Sequence, residues 1–112
     1  MPLTVPTADD AQSLYDFIMQ RANEEWEAIN GDETLDPNAA ARFYRVSNSN
    51  KLAITATAEC LAGLLGRGDD EKAERAWHLL TSAGEQWRDH PGYLARWENP
   101  QLAAVRQMIA GG

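Results

Sequence analysis

One cysteine, Cys60, stands in a chain of 112 residues. A lone thiol cannot close an intramolecular disulfide, and no second one completes a cysteine metal site. This usage fits a reducing cytosol. Histidine is nearly as scarce, with His78 and His90 alone. A zinc-protease helix needs two histidines four apart with a glutamate between them, and a carboxylate di-metal bundle needs Glu-x-x-His pairs. Neither pattern occurs, so no metal or cofactor is expected. Bases are a minority, with 10 Lys and Arg against 17 Asp and Glu and a net charge of −7. Proteins that grip nucleic acid release phosphate counterions with clustered Lys and Arg. Direct nucleic-acid binding and adhesion to an anionic membrane are both disfavoured. The most apolar segment, LAITATAECLAGLL, is broken by threonines and Glu59 and is too short to span a bilayer. No signal peptide is read in MPLTVPTADD, which lacks a basic stretch followed by an apolar one. The expected location is cytoplasmic. No segment alternates apolar and polar residues in the manner of a strand.

What is present is helical punctuation. Thr7 stands before ADDAQ as an N-cap hydroxyl followed by early acids, after an extended stretch at residues 1–7. Leu14, Phe17, Ile18, Ala22, Trp26 and Ile29 then keep the three-and-four spacing of one buried helical face. Asn30-Gly31 should end this helix, because both residues tolerate the left-handed conformation. Asp36-Pro37 opens a second helix as a cap and a first-turn proline. Its stripe runs through Ala40, Phe43, Ser47, Asn50, Ile54, Ala58, Leu61 and Leu65. Ser47 to Asn50 are four poor helix formers in its middle. Either one helix covers 37–65 or two meet at a kink near 47–50; the unbroken phase of the stripe favours one. Asp69 caps a third helix with Ala73, Ala76, Trp77, Leu80, Ala83 and Trp87 on its apolar side, ending at Pro91-Gly92. Asn99-Pro100 opens a last short helix, residues 99–112, after a turn spanning 87–97. The expectation is one all-α domain over 1–112: a small bundle of three main helices with a fourth appended.

Candidate chemistry is thin. Asp89 beside His90 has the form of a carboxylate-oriented base, and His78 is the other histidine available to it. These three residues are the weak catalytic candidates. Cys60 sits among alanines, where burial would keep the thiol protonated, and no serine occupies a strand-turn-helix elbow. Asp89 and His90 serve more simply as caps at a helix C-terminus. The tripeptide Arg67-Gly68-Asp69 reads as a helix stop and cap, and GLLGRGDDEK lacks the Gly-Lys-Ser/Thr end of a phosphate loop.

Binding surfaces are better supported. Residues 1–36 hold nine acids and one base, whereas residues 37–67 hold one acid and four bases. The first helix therefore either lies beside a basic second one or presents an acidic face through Asp9, Asp10, Glu24, Glu25 and Glu27. Such a face would recruit a basic host protein or imitate nucleic acid. At the other end, Leu102, Val105, Met108 and Ile109 fall on one side of the last helix, and Trp97 precedes it. These five residues form a candidate contact for another protein, or for a second copy of the chain.

DPNAAARFYR at the start of the long helix and DHPGYLARW after the third helix resemble segments of an uncharacterised family of short proteins from actinobacteria and their phages. In that family an Asp-Pro pair opens a long helix and a His-Pro-Gly/Asp-Tyr segment with a nearby Trp closes the domain. The matching positions here are Asp36, Pro37, His90, Pro91, Gly92, Tyr93 and Trp97. Family members carry more bases in the long helix than VSNSNKLAITATAE offers, and the segment after Trp97 looks like an addition. The resemblance implies a helical fold and an actinobacterial or phage setting, with no activity to transfer. The reading is a non-enzymatic protein-interaction module; the alternative is an acidic, host-modulating phage protein acting through residues 9–36.

Overall fold

The computed structural model describes residues 5–111, so the first four residues of the expected extended stretch and Gly112 lie outside the described residues. Four α-helices follow in order: α1 Ala8–Asn30, α2 Pro37–Arg67, α3 Asp70–Gly84 and α4 Pro100–Gly111. No strand occurs among the described residues. Short 3-10 turns at Glu85–Trp87 and Ala95–Trp97 interrupt the connection between α3 and α4.

Each helix starts where a short polar side chain can accept a hydrogen bond from an open backbone N–H. Thr7 accepts from Asp10, Asp36 from Asn38, Asp69 from Lys72 and Asn99 from Leu102. The second helix is continuous over 31 residues. Ser47 to Asn50 do not break it, because they face solvent or the edge of a groove, where poor propensity costs only tenths of a kcal/mol each. Gly68 ends α2 at φ 71°, the left-handed conformation that lets its N–H and that of Asp69 return to the carbonyls of Leu65 and Leu64.

The first helix ends at Asn30 as expected but by another conformation, and the third ends elsewhere than expected. Gly31 stays right-handed at φ −85°, with its N–H bonded to the Glu27 carbonyl. The stop comes instead from the turn that follows, in which Asp32 Oδ1 accepts both the N–H and the hydroxyl of Thr34. The third helix ends at Gly84 rather than at Pro91-Gly92. There the chain tightens into the 3-10 turn, which brings Trp87 to α1, where its indole donates to Glu25.

The helices alternate in direction. Tyr15 bonds Thr55 and Lys51 donates to Asn23, while Trp26 stacks on Phe43, so residue numbers rise along α1 as they fall along α2. The core lies at the end where all three helices meet. Leu14 and Ile18 of α1, Leu61 of α2 and Leu80 of α3 are completely enclosed there, with Phe17, Leu64, Ala73 and Trp77 around them. Gly84 makes the α1–α3 approach possible, since a Cβ at that position would stand 3.0 Å from Leu14 Cδ1. Across the α1 side of this core fold Tyr93 and Trp97, whose rings lie 6.1 and 5.1 Å from Phe17.

Length mismatch shapes the remainder. At 1.5 Å per residue α2 is about 46 Å long and α3 about 22 Å. The third helix covers the C-terminal half of α2 and no more. Along the other half α1 is in contact, through Trp26 against Phe43 and Tyr44, and Trp87 borders the cleft over Phe43 and Val46. That is why Ala40, Phe43 and Ser47 of the expected stripe are only half-buried and Asn50 is exposed. The acidic α1 does lie beside the more basic α2, yet among the described residues no ion pair joins them; Asp10 pairs with Arg96, far along the chain.

Candidate protein-binding surface

The last helix is rooted firmly and exposed beyond its root. Asn99 is 1% exposed and does two jobs. Its Oδ1 caps α4 by accepting from the Leu102 N–H, and its Nδ2 donates to the His78 carbonyl, Thr81 Oγ1 and Ser82 Oγ at 3.0–3.2 Å. Its own N–H donates to Glu85 Oε1. Arg106, two turns on, spans Glu85 at 2.9 Å and Glu98 at 2.7 Å. Sequence reasoning saw Asn99 only as a cap; the clasp onto α3 depends on residues 14–21 positions away and has no local signature.

Of the predicted contact residues, Leu102, Val105, Met108 and Ile109 are left uncovered by the bundle, Met108 and Ile109 at 76% exposure. They follow one another at helical spacing, so they form one apolar stripe. Trp97 does not belong with them. It is 3% exposed, packed on Phe17 and Tyr93 as part of the core. The turn Ala95–Trp97, held at the Leu94 carbonyl by the Trp97 N–H, swings the indole inward before α4 begins.

Of the five acids on the expected acidic face, Asp9, Glu24, Glu25 and Glu27 are exposed, and three of the five have partners within the chain. Asp10 holds Arg96 at 2.8 Å, Glu24 holds Arg21 and Glu25 accepts from Trp87. Asp9 and Glu27 are exposed but stand five turns apart, about 27 Å along the helix.

The histidines are placed in separate surroundings. His78 is half-buried on α3, its Nε2 enclosed without a hydrogen-bond partner. His90 lies against α1, edge-on to Phe17, with Nε2 2.9 Å from Arg21 Nη1 and Nδ1 accepting from the Gly92 N–H. It therefore does not cap the α3 carbonyls as the sequence suggested. A neutral imidazole has one acceptor nitrogen and two donors face this one, so one tautomer satisfies Arg21 and the other Gly92. Asp89 is exposed, and no hydrogen bond joins it to either histidine among the described residues. No three His, Cys, Asp or Glu side chains are grouped to hold a metal among the described residues. Cys60 corrects a further expectation: it is exposed, because it lies on the flank of α2 away from the Leu61 and Leu64 core positions.

Burial pushes the Tyr93 phenol up to about 12, with the Glu85 and Glu98 carboxylates adding to the effect. Its hydroxyl is enclosed without a partner, as is the Trp97 indole N–H. Tyr93 therefore belongs to the same buried joint between bundle and α4 root.

No described helix is long and apolar enough to cross a membrane. Comparison with protein-family models, with curated proteins and with solved structures finds no match to this chain.

Proposed function

We propose that this chain is a small helical protein-interaction module without chemistry of its own, and that α4 is its contact surface. One observation carries the reading: the stripe Leu102–Val105–Met108–Ile109 faces outward while the helix bearing it is fixed at its root by Asn99 and Arg106. A helix that merely frayed would have no need of an enclosed amide and two carboxylates at its base. Rigid presentation of exposed apolar side chains lowers the entropy lost on binding, and such side chains are what interfaces bury. The sequence resemblance supports an actinobacterial or phage setting, and the single free thiol supports a cytoplasmic one.

The test is the double substitution Met108→Glu with Ile109→Glu. Both positions are solvent-facing, so unfolding stability should change by no more than about 0.5 kcal/mol. Association should fall sharply, read both as self-association by light scattering and as proteins retained from an actinobacterial extract. Association unchanged on both readouts, with the fold intact, would exclude α4 as the contact.

A further inference from the structure

We infer that the outer side of α2 between Arg42 and Leu52 is a second binding surface, and that it takes an acidic segment of another protein. The inference does not depend on the reading of α4.

Residues 37–58 contain no acid, in a chain that carries 17 of them and a net charge of −7. Their bases are Arg42, Arg45 and Lys51. Arg42, Arg45, Ser49 and Leu52 follow one another three and four residues apart, so they share one side of the helix. All four are exposed, Leu52 at 65%. Among the described residues neither arginine has an ion pair or a hydrogen bond. Acids are close at hand, because Trp26 lies against Phe43 and Tyr44 and its neighbours on α1 include Glu24, Glu25 and Glu27. Yet Glu24 holds Arg21, Glu25 accepts from Trp87, and Glu27 pairs with neither arginine. Lys51 is engaged with Asn23. The two guanidinium groups are the ones left to meet a charge from outside.

The run from Ser47 to Asn50 is an independent observation on the same stretch. Four poor helix formers in succession weaken the middle of a helix of 31 residues. Nothing inside the chain offsets that weakness, since among the described residues none of the four side chains makes a hydrogen bond. Asn48 and Ser49 are exposed between Arg45 and Leu52. A run that departs from local preference with no internal gain marks a surface kept for binding. Its short polar side chains supply donors and acceptors while letting a partner's backbone come close.

Charge and extent select the occupant. Two arginine forks one turn apart match two carboxylates on one side of a partner segment, and Leu52 offers that segment an apolar contact. A nucleic acid fits less well. Its affinity grows with the number of phosphates neutralised, and two free bases neutralise few. The acidic first helix alongside would also repel a long polyanion. A protein segment with a few carboxylates can lie along α2 alone.

The experiment is fluorescence anisotropy on the full chain with a labelled helical peptide that presents two glutamates and a leucine on one side. The same peptide with Gln for Glu and an oligothymidylate of equal charge serve as comparisons. The Glu peptide should bind tightest, and added salt should weaken it. Arg42→Glu with Arg45→Glu should weaken it by roughly tenfold or more without lowering the thermal melt. Asn48→Ala with Ser49→Ala should raise the melt, because alanine is the better helix former, and still weaken the peptide. Met108→Glu with Ile109→Glu should leave this binding unchanged, which separates the surface from α4. No binding of the Glu peptide up to millimolar concentration overturns the inference. So does binding that survives reversal of both arginines, or that survives the alanine pair. Tighter binding of the oligothymidylate overturns it too, and assigns the face to nucleic acid.

Discussion

Asn99 concentrates several obligations in one side chain: three acceptors on α3 share its amide protons, and its oxygen accepts from one N–H of α4. Asn99→Ala should lower unfolding stability by about 2–4 kcal/mol, the sum of a lost cap and enclosed polar groups left without a partner. Asn99→Asp separates the two roles, since a carboxylate still caps but cannot donate to the His78 carbonyl. It should be at least as damaging as alanine at neutral pH, and urea denaturation of both variants measures the difference. Tyr93 supplies the pH dependence. Its folded-state pKa of about 12 lies above the ordinary value of 10.0, so the native state holds the phenolic proton longer than the unfolded chain. That contribution to stability is fully present below about pH 10 and is lost as pH rises toward about 12. Tyr93→Phe should therefore flatten the decline in urea midpoint between pH 9.5 and 11.5. At pH 7 it should cost little, because the hydroxyl has no partner to lose.

At the scale of elements, helix boundaries were legible because they are local. Thr7, Asp36, Asp69 and Asn99 each bond a backbone N–H two or three residues on, so the signal lies within one turn of sequence. The stop was legible at Gly68 for the same reason; at Gly31 the position was legible and the left-handed conformation was not adopted. Either glycine could adopt the conformation, but only the first has a helix starting two residues later that demands so abrupt a reversal. Gly68→Ala should cost about 1 kcal/mol, from placing a Cβ at positive φ. Gly31→Ala, at φ −85°, should cost less than half of that, and thermal unfolding of the pair provides the comparison. The candidate contact was half legible. Spacing marked Leu102, Val105, Met108 and Ile109 as one stripe, but periodicity does not say whether a stripe faces a core or solvent.

Over the whole molecule, stability is distributed unevenly. Enclosed side chains are gathered where α1, α3 and the second half of α2 meet, around Leu14, Ile18, Leu61 and Leu80. The first half of α2 rests mainly on α1, with Trp87 at the edge of the cleft. Amide hydrogen exchange should show the gradient directly, with protection in residues 58–65 approaching the global unfolding limit and residues 40–50 exchanging through smaller openings. Uniform protection along α2 in dilute, monomeric protein would contradict this picture.

Composition and local chemistry settled the all-helical class, the order of four helices and their N-terminal caps, because each depends on side chains within about four residues of one another. They did not settle which apolar residues become core. Trp97 and Met108 both stood in apolar positions beside a helix, yet one is enclosed on Phe17 and the other faces solvent. Cys60, placed among alanines, lies on an open flank, and His90 reaches back 69 positions to Arg21 instead of capping its own helix. For Trp97 and His90 the outcome follows from where the 3-10 turns redirect the chain, and for Cys60 from which flank of α2 its neighbours leave open. Those are relations between distant segments, and burial, unlike a cap, is a property of what packs from far away in sequence.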